Sequence, residues 1–537
     1  MFSDKLKAYA KAGYPALWID TFEETRATAQ IKRSMEQLSA EKANGAACEV
    51  YEWDCLSGLT LRTNNGITEI KDTIDPVKLF LRIKEKCSND RRRVFVLKDF
   101  HLQFNRPLKL PEYVASFKSI IQVLKSRSGM IIFLATNNRI PQEIHKDVQL
   151  LEFTLPDEAA IDARLSEIVA AVNKGIAGKK KLEISDEIRE LAVEAAKGMT
   201  DAEVENAFAL AAVENSTFDE GFVQSVFREK IIQIKKGGML NYIEPDIGFE
   251  NIGGFDIIKD WARTRRSGFT HRAREYKLPY PKGVGLTGIA GCGKTLFAKA
   301  IAKEFGFPLF QLDIGALFSK FVGETEQNFI NLTRVINSIG RCVVLIDEIE
   351  KYLSTHAVSG AGDSGTSSRS FGTLLTWLND RDTPAFLVYT SNDHTILPAP
   401  LVRKGRFDDV FWIDLPVLTE REEIYSVVIR KFGRDPKKFA VKKLAAQSNN
   451  FTGAEIENLF KDAMFRAFSE NREVTTEDVT AEIKALNPIY KIYGDDIERM
   501  RDKADGVLRP ASSRHLEDTL GDDLRQITSG IKDASDE

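Results

Sequence analysis

GLTGIAGCGKTLFAKAIAKEF, residues 285–305, runs from an apolar stretch through a glycine-rich turn into a segment of helical periodicity. Within it Gly288, Gly293, Lys294 and Thr295 keep the GxxxxGK(S/T) spacing, which average residue usage produces by chance in roughly 2% of chains this long. A turn of this kind at a helix N-terminus aims backbone N–H groups at an anion, because glycines carry no Cβ to hold phosphate oxygens away. Lys294 is then placed to reach the β and γ phosphates of a nucleotide, and the Thr295 hydroxyl to ligate magnesium. Ile289, Ala290, Gly291, Cys292 and Leu296 complete the expected nucleotide contacts. A glycine turn with no ligand is the plain alternative; the helical LFAKAIAKEF behind the loop favours the cradle.

Fifty-three positions after Lys294, VVLIDEIEKYL ends an apolar strand on Asp347-Glu348. Strand ends often carry solvated carboxylates, but behind a phosphate loop this pair has two distinct tasks. Asp347 would hold magnesium, and Glu348 would polarise the water that attacks the γ phosphate. The expected cofactors are therefore ATP and Mg2+.

From about Ile247 to Ala485 the chain resembles the AAA ATPases, whose motifs stand here in the same order. The resemblance implies that Ile252, Gly253 and Gly254 in DIGFENIGGFDIIKDW line the adenine pocket and that Phe321 in SKFVGETE grips substrate in a central pore. It further implies that Asn392 in VYTSND orients the attacking water, and that Arg403 and Arg406 in RKGRFD reach the ATP of a neighbouring subunit. Gly453 and Ala454 in FTGAEIENL would open the helical lid beside the nucleotide, and the chain would assemble as a homo-oligomer, a hexameric ring. The Ser/Gly/Thr run from Ser354 to Ser370, with Arg369 near its end, looks like a second pore-facing loop. Two departures from the family pattern are Ala290, where proline is common, and Phe321-Val322 after Lys320; neither removes a phosphate or metal contact. GDSGTSSRSFGTLLTWL, KKGGMLNYIEPDIGFENIGG and IERMRDKADGVLRPAS extend the likeness over nearly the whole chain to the Ycf46-type AAA ATPases of cyanobacteria and plastids.

The order of signals also repeats. VFVLKDF, IIFLATNN, LLEFTLPDEAAIDARL and MTDAEVENAFALAA occur between residues 94 and 212; VVLIDEIE, FLVYTSND, VFWIDLPVLTEREEI and FTGAEIENLFKDAM follow in the same order between 343 and 464. Pairing Asp99 with Asp347, Asn138 with Asn392, Pro156 with Pro416 and Thr200 with Thr452 gives intervals of 39, 18 and 44 against 45, 24 and 36. Four ordered matches point to duplication. The expected fold is α/β: a P-loop AAA+ module, a parallel sheet plus a helical lid, preceded by a degenerate AAA-like α/β module. The first copy has no phosphate loop and no RxGR, and the pairing puts Phe100 where Glu348 stands, so it should keep the fold without the reaction. Asn138 then reads as a turn or strand-end residue. Trp18, Phe22 and Trp53 offer either a partner-binding aromatic face or, the commoner fate, core packing.

Composition bounds the function. Of 79 acidic and 75 basic residues, 12 and 8 lie between Pro488 and Glu537, so the body is neutral, which disfavours a nucleic-acid coat or an anionic-membrane binder. The cluster RTRRSGFTHRAR from Arg263 to Arg274 leaves a local phosphate or nucleic-acid contact open beside the solvated-face reading. Five cysteines without CxxC spacing fit a reducing compartment, and six histidines without HExxH exclude the usual zinc-protease motif. The apolar runs are strand-sized and the first twenty residues lack a secretion-signal core, so a cytoplasmic protein with no membrane span is expected, or a stromal one if plastid-derived.

The expected organisation is a nucleotide-free module over residues 1–235, a linker over 236–250, a large ATPase subdomain over 251–415, a lid over 416–487 and a polar, partly disordered tail over 488–537. Three uses of an ATPase cycle compete: a motor that remodels or threads a protein partner, a switch that holds and releases one, and an ATPase acting on nucleic acid. Phe321 favours the first and the neutral body disfavours the third.

Overall fold

The computed structural model describes residues 2–41, 48–63, 66–87, 91–127, 129–137, 139–175, 182–215, 217–236, 238–317, 324–351, 376–377, 383–398, 401 and 405–513. The chain divides into two compact units between Phe227 and Arg228, inside the helix Glu220–Lys236.

The first unit carries a seven-stranded sheet in the order β4-β3-β2-β5-β6-β1-β7, with β1 Ala16–Asp20, β2 Glu49–Asp54, β3 Gly58–Thr63, β4 Gly66–Ile70, β5 Arg93–Lys98, β6 Gly129–Ala135 and β7 Gln149–Leu150. β2, β5, β6, β1 and β7 are parallel; β3 and β4 extend one edge as antiparallel strands. The central strands β1, β5 and β6 carry near-continuous apolar runs, ALWI, VFVL and MIIFLA, because both of their faces are buried in cores, whereas β2 and β7 nearer the edges carry polar residues as well. Trp18, Trp53, Phe95 and Phe133 enter one core; Leu17, Ile19, Val94 and Ile132 enter the other. Of the three aromatic residues singled out above, Trp18 and Trp53 are core. Their indole N–H groups donate to the carbonyls of Asn137 and Thr73, both at 2.7 Å. Phe22 stands apart, 77% exposed, so the three form no common face. Helices Glu158–Gly175, Asp186–Ala196 and Asp201–Glu214 pack with the start of Glu220–Lys236 around Leu165, Phe208 and Phe222 as a separate helical cluster.

The second unit repeats the plan. Its sheet runs β14-β13-β9-β12-β11-β10-β8, with β8 Leu240–Ile243, β9 Gly283–Gly288, β10 Leu309–Leu312, β11 Cys342–Ile346, β12 Ala385–Ser391, β13 Asp409–Ile413 and β14 Arg509–Pro510. Numbering the five parallel core strands of each unit from its own first strand gives the same spatial order, 5-1-4-3-2, as duplication requires. The lid consists of Leu418–Lys431, Val441–Gln447, Gly453–Ser469 and Thr476–Ala485 around Tyr425, Leu459 and Phe460. Both units start a lid helix with the same device. The Thr200 and Thr452 hydroxyls accept from the N–H of Glu203 and Glu455, whose carboxylates accept from the threonine N–H groups in return.

The polar, partly disordered tail expected over 488–537 needs correction in its described part, residues 488–513. Residues Ile489–Ala504 form a helix with a kink at Tyr493, and β14 then adds to the edge of β13. Few but well-spaced apolar residues explain this: Ile497, Ala504, Leu508 and Ala511 all reach the core of the second unit. Among the described residues no helix is long and apolar enough to cross a membrane.

Candidate active site

β9 feeds the glycine loop directly into the helix Lys294–Phe305. Glycine is required at two points for different reasons. A Cβ on Gly288, at φ +142°, would stand 1.9 Å from the Ile413 carbonyl oxygen, and Gly293 is the left-handed residue that starts the helix, at φ +91°. The Lys294 side chain folds back over this loop, 6% exposed, and its ammonium donates to the carbonyls of Gly288 at 2.7 Å and Ile289 at 2.8 Å. Burial draws its pKa down to about 8. A buried cation at a helix N-terminus suits an anion. Burial also pushes the Cys292 thiol up to about 12, so it sits in the loop as an inert, small apolar group.

At the end of β11 one carboxylate oxygen collects two hydroxyls: Asp347 Oδ1 accepts from Thr295 at 2.9 Å and from Thr390 at 2.6 Å. Glu348 follows in a left-handed conformation, φ +50°, which no β-strand continuation would permit and which turns its side chain toward Asn392. The Asn392 amide lies 3.4 Å from Glu348 Oε1, its backbone N–H donates to the buried Glu350 at 2.9 Å, and Lys351 ion-pairs with Glu348. Hydroxyl and carboxylate oxygens from Thr295 and Asp347 are the ligand types magnesium takes when phosphates and water supply the rest, and no all-protein cluster of three or more acidic, histidine or cysteine ligands occurs among the described residues. The residues present therefore fit a magnesium nucleotide.

These groups share a cleft of about 660 Å3. Of the residues singled out from the sequence, Ile252, Gly253, Ala290, Gly291, Cys292, Gly293, Lys294, Thr295, Leu296, Asp347, Glu348, Asn392, Gly453 and Ala454 line it. Gly254, Gly288 and Ile289 do not. Gly254 instead donates its N–H to Glu423 at 2.8 Å, while Gly288 and Ile289 act through the carbonyls that hold Lys294. The lid is joined to the loop by the Ala454 N–H, which donates to the Gly291 carbonyl at 3.0 Å. Arg406 is half-buried and outside the cleft lining, and Arg403, Phe321, Arg369 and Asn138 lie outside the described residues. The cleft also contains residues that motif reading missed: Thr390, Asp414, Glu420, and the ion pair of Lys431 with Glu457 at 2.9 Å. The basic cluster is engaged within its own unit. Arg263 and Arg266 approach Glu304, Arg265 stacks on Trp261, and Arg274 stacks on Tyr280.

The first unit shows the same fold with a different strand-to-helix connection. Three residues, Thr21 to Glu23, join β1 to the helix Glu24–Ala40, where five join β9 to its helix, so there is no cradle. The buried Glu23 carboxylate accepts from Arg26 and, at 2.6 Å, from the N–H of Asp201 at the start of the lid helix. A side-chain anion thus takes the role that the Gly291 carbonyl plays in the other unit. Ladder register also corrects the residue pairing between copies. β5 and β6 start at Arg93 and Gly129, and β11 and β12 at Cys342 and Ala385, which sets Lys98 at the position of Asp347, Asp99 at that of Glu348 and Phe100 at that of Ile349. Asp99 and Glu348 share φ +50° and accept equivalent turn bonds from Leu102 and Lys351. Phe100 therefore does not stand where Glu348 stands. The match by letters slips by one because Lys98, paired to Glu52 at 2.8 Å, replaces the first carboxylate. By the same count Thr136, not Asn138, holds the position of Asn392. The first unit thus presents a lysine cation where the second presents the Asp347 carboxylate.

Comparison with known proteins places these features. The profile described as ATPase family associated with various cellular activities (AAA) matches residues 284–415, and an AAA+ lid domain profile matches 439–481. Profiles for the N-terminal and second domains of SpoVK-like AAA ATPases match residues 2–153 and 159–237. The AAA domain-containing protein ycf46 of Trieres chinensis is 34% identical over 517 residues, 96% of this chain and 99% of the relative. That of Guillardia theta is 33% identical over 95% and 96%. An ATP-dependent zinc metalloprotease FtsH of Ralstonia pickettii is 28% identical over 250 residues, 45% of this chain and 35% of that protein.

Proposed function

We propose a function from one premise: this chain belongs to the Ycf46 family of AAA ATPases. Its second unit hydrolyses ATP to ADP and phosphate. Lys294 and the loop 290–296 bind the phosphates, Ile252, Gly253, Gly453 and Ala454 enclose the base, Thr295 and Asp347 hold magnesium, Glu348 takes up the proton of the attacking water, and Asn392 orients that water. Bound magnesium neutralises charge that develops on the phosphates. The observation that carries the reading is the single cleft in which Lys294, the Thr295–Asp347 hydroxyl–carboxylate pair and the Glu348–Asn392 pair converge. Phosphate release and ATP binding test it together. Lys294→Ala should lose binding, whereas Glu348→Gln should keep binding and lose turnover; equal loss of binding in both variants would overturn the role assignment.

Arg403 and Arg406 complete the site of a neighbouring subunit, so hydrolysis requires a homo-oligomer, a hexameric ring, in the cytoplasm or the plastid stroma. Residues 1–235 form a nucleotide-free module that recruits or regulates, joined through 236–250 to the large subdomain 251–415 and the lid 416–487. Lys98 and Glu23 support the nucleotide-free part of this reading. The ring remodels or threads a protein partner through Phe321.

A second reading, a switch that holds and releases a partner by nucleotide state, is favoured by the segment after Asn487. It bridges lid and sheet beside the cleft: the Ile489 N–H donates to Glu455 at 2.7 Å, Arg501 pairs with Asp414 at 2.7 Å, and Ser512 donates to Glu420 at 2.5 Å. Asp414 and Glu420 both line the cleft, so nucleotide state can be felt by this strap.

A further inference from the structure

Thr390 is 1% exposed on β12 and belongs to no phosphate-loop or strand-end carboxylate motif. A hydroxyl has one proton to donate and lone pairs to accept with. Thr390 spends the proton on Asp347 Oδ1 at 2.6 Å and a lone pair on the backbone N–H of Glu348 at 2.8 Å. The carbonyl of Thr390 accepts from the next N–H, that of Ile349, at 3.0 Å. One residue thereby fixes the carboxylate of the metal side and the backbone of the water-side residue, at the point where the chain enters its left-handed turn.

The first unit supplies an internal control. The equivalent turn, at Asp99, has the same φ, yet its N–H donates to the main-chain carbonyl of Leu134, the residue at the ladder position of Thr390, at 2.9 Å. The turn therefore forms without any hydroxyl. What the hydroxyl adds in the second unit is the link to a carboxylate, and the first unit, with Lys98 at that position, has no carboxylate there to link.

We propose that Thr390 is a positioning residue for ATP hydrolysis: its hydroxyl locks the orientation of Asp347 to the backbone of Glu348, so that the metal-holding and water-activating groups keep one mutual geometry. The proposal rests on the ATPase reading above. It deepens that reading by naming a residue outside the phosphate loop and the strand-end carboxylates. Thr390→Val keeps the side-chain volume, strands the Glu348 N–H and leaves Asp347 with Thr295 as its described hydroxyl donor. Thr390→Ser keeps the hydroxyl.

The test combines steady-state turnover, calorimetric ATP binding with magnesium and with EDTA, and thermal melting, on full-length protein. For Thr390→Val, kcat should fall ten- to a hundredfold, the range a lost charge-assisted hydrogen bond supplies. Its ATP affinity in EDTA should stay within about twofold of wild type, while the strengthening of ATP binding by magnesium should shrink at least about fivefold. Thr390→Ser should restore both. A valine variant with wild-type kcat and wild-type magnesium response overturns the proposal, as does a serine variant as impaired as the valine one, which would mark the methyl group and packing as the cause. Should the valine variant fail to fold, the serine variant decides: wild-type turnover and magnesium response support the proposal, and a tenfold loss overturns it. A wild-type protein that binds but never hydrolyses ATP defeats the ATPase reading, and the magnesium response of binding then still decides whether Thr390 orients Asp347.

Discussion

Replacing Glu23 by alanine tests whether its carboxylate joins sheet to lid helix in the first unit, as the Gly291 carbonyl does in the second. Glu23 is buried, ion-paired with Arg26 and bonded to the Asp201 N–H at 2.6 Å, so truncation leaves a guanidinium without that partner and a helix N-terminus without its acceptor. Removing one member of a buried pair costs about 3–5 kcal/mol. Arg26 keeps a second bond, to the Thr154 carbonyl, and is partly exposed, which argues for the lower end, about 3 kcal/mol. For a unit of this size, Met1 to Phe227, each kcal/mol shifts the melting temperature by about 2–4 °C, giving a fall of about 6–12 °C. Differential scanning calorimetry of the full chain, with ATP present to hold the second unit, isolates the transition of the first. Glu23→Gln, which keeps an acceptor for Asp201 but not the charge, should fall between alanine and wild type. A shift below about 3 °C for the alanine variant, or a glutamine variant as damaged as the alanine one, would refute the argument that this carboxylate ties sheet to lid.

Arg403→Ala and Arg406→Ala should each lower turnover by about 10³–10⁵ with ATP binding kept, and wild-type activity per chain should rise with protein concentration; a concentration-independent rate in demonstrably monomeric protein excludes a site shared between subunits. Phe321→Ala should leave basal hydrolysis and melting intact yet abolish stimulation by a captured protein partner if the ring threads; unchanged partner handling leaves the switch reading. Hydrogen bonds from Arg472, at 2.5 and 2.7 Å, hold the Asp478 carboxyl well below the usual carboxylate range. A depressed pKa contributes stability that is present above the unfolded value of about 3.9 and is lost as pH falls through the folded one, so the urea midpoint of Asp478→Asn should trail wild type at pH 7, and the gap should begin to close only below about pH 4.

Much of this protein was legible from local pattern. The spacing Gly288 to Thr295, the carboxylates after VVLI, the alternation of strand-sized and helix-sized runs and the Thr-x-x-Glu starts of both lid helices each act within a few residues, so the sequence by itself determined a duplicated α/β fold and a glycine loop at a helix N-terminus in the second copy. Tertiary structure decided what depends on register and on distant partners. Thr390 stands two residues before Asn392 in plain view, but whether its hydroxyl faces Asp347 depends on how β12 pairs with β11. The one-residue slip that matched Asp99 to Asp347 has the same origin: letters align on a shared aspartate, whereas backbones align on hydrogen-bonded ladders and a left-handed turn. Glu23 reads as an ordinary helix-start acid until Asp201, 178 residues away, is folded onto it. The segment after Asn487 is too polar to declare itself; its order comes from the free edge of β13 and from Asp414 and Glu455, which accept its donors only once sheet and lid exist. Hydrogen bonds and ion pairs across such separations have no periodic signature in the chain, because the entropy of closing those loops is met by the whole fold and not by the residues that touch.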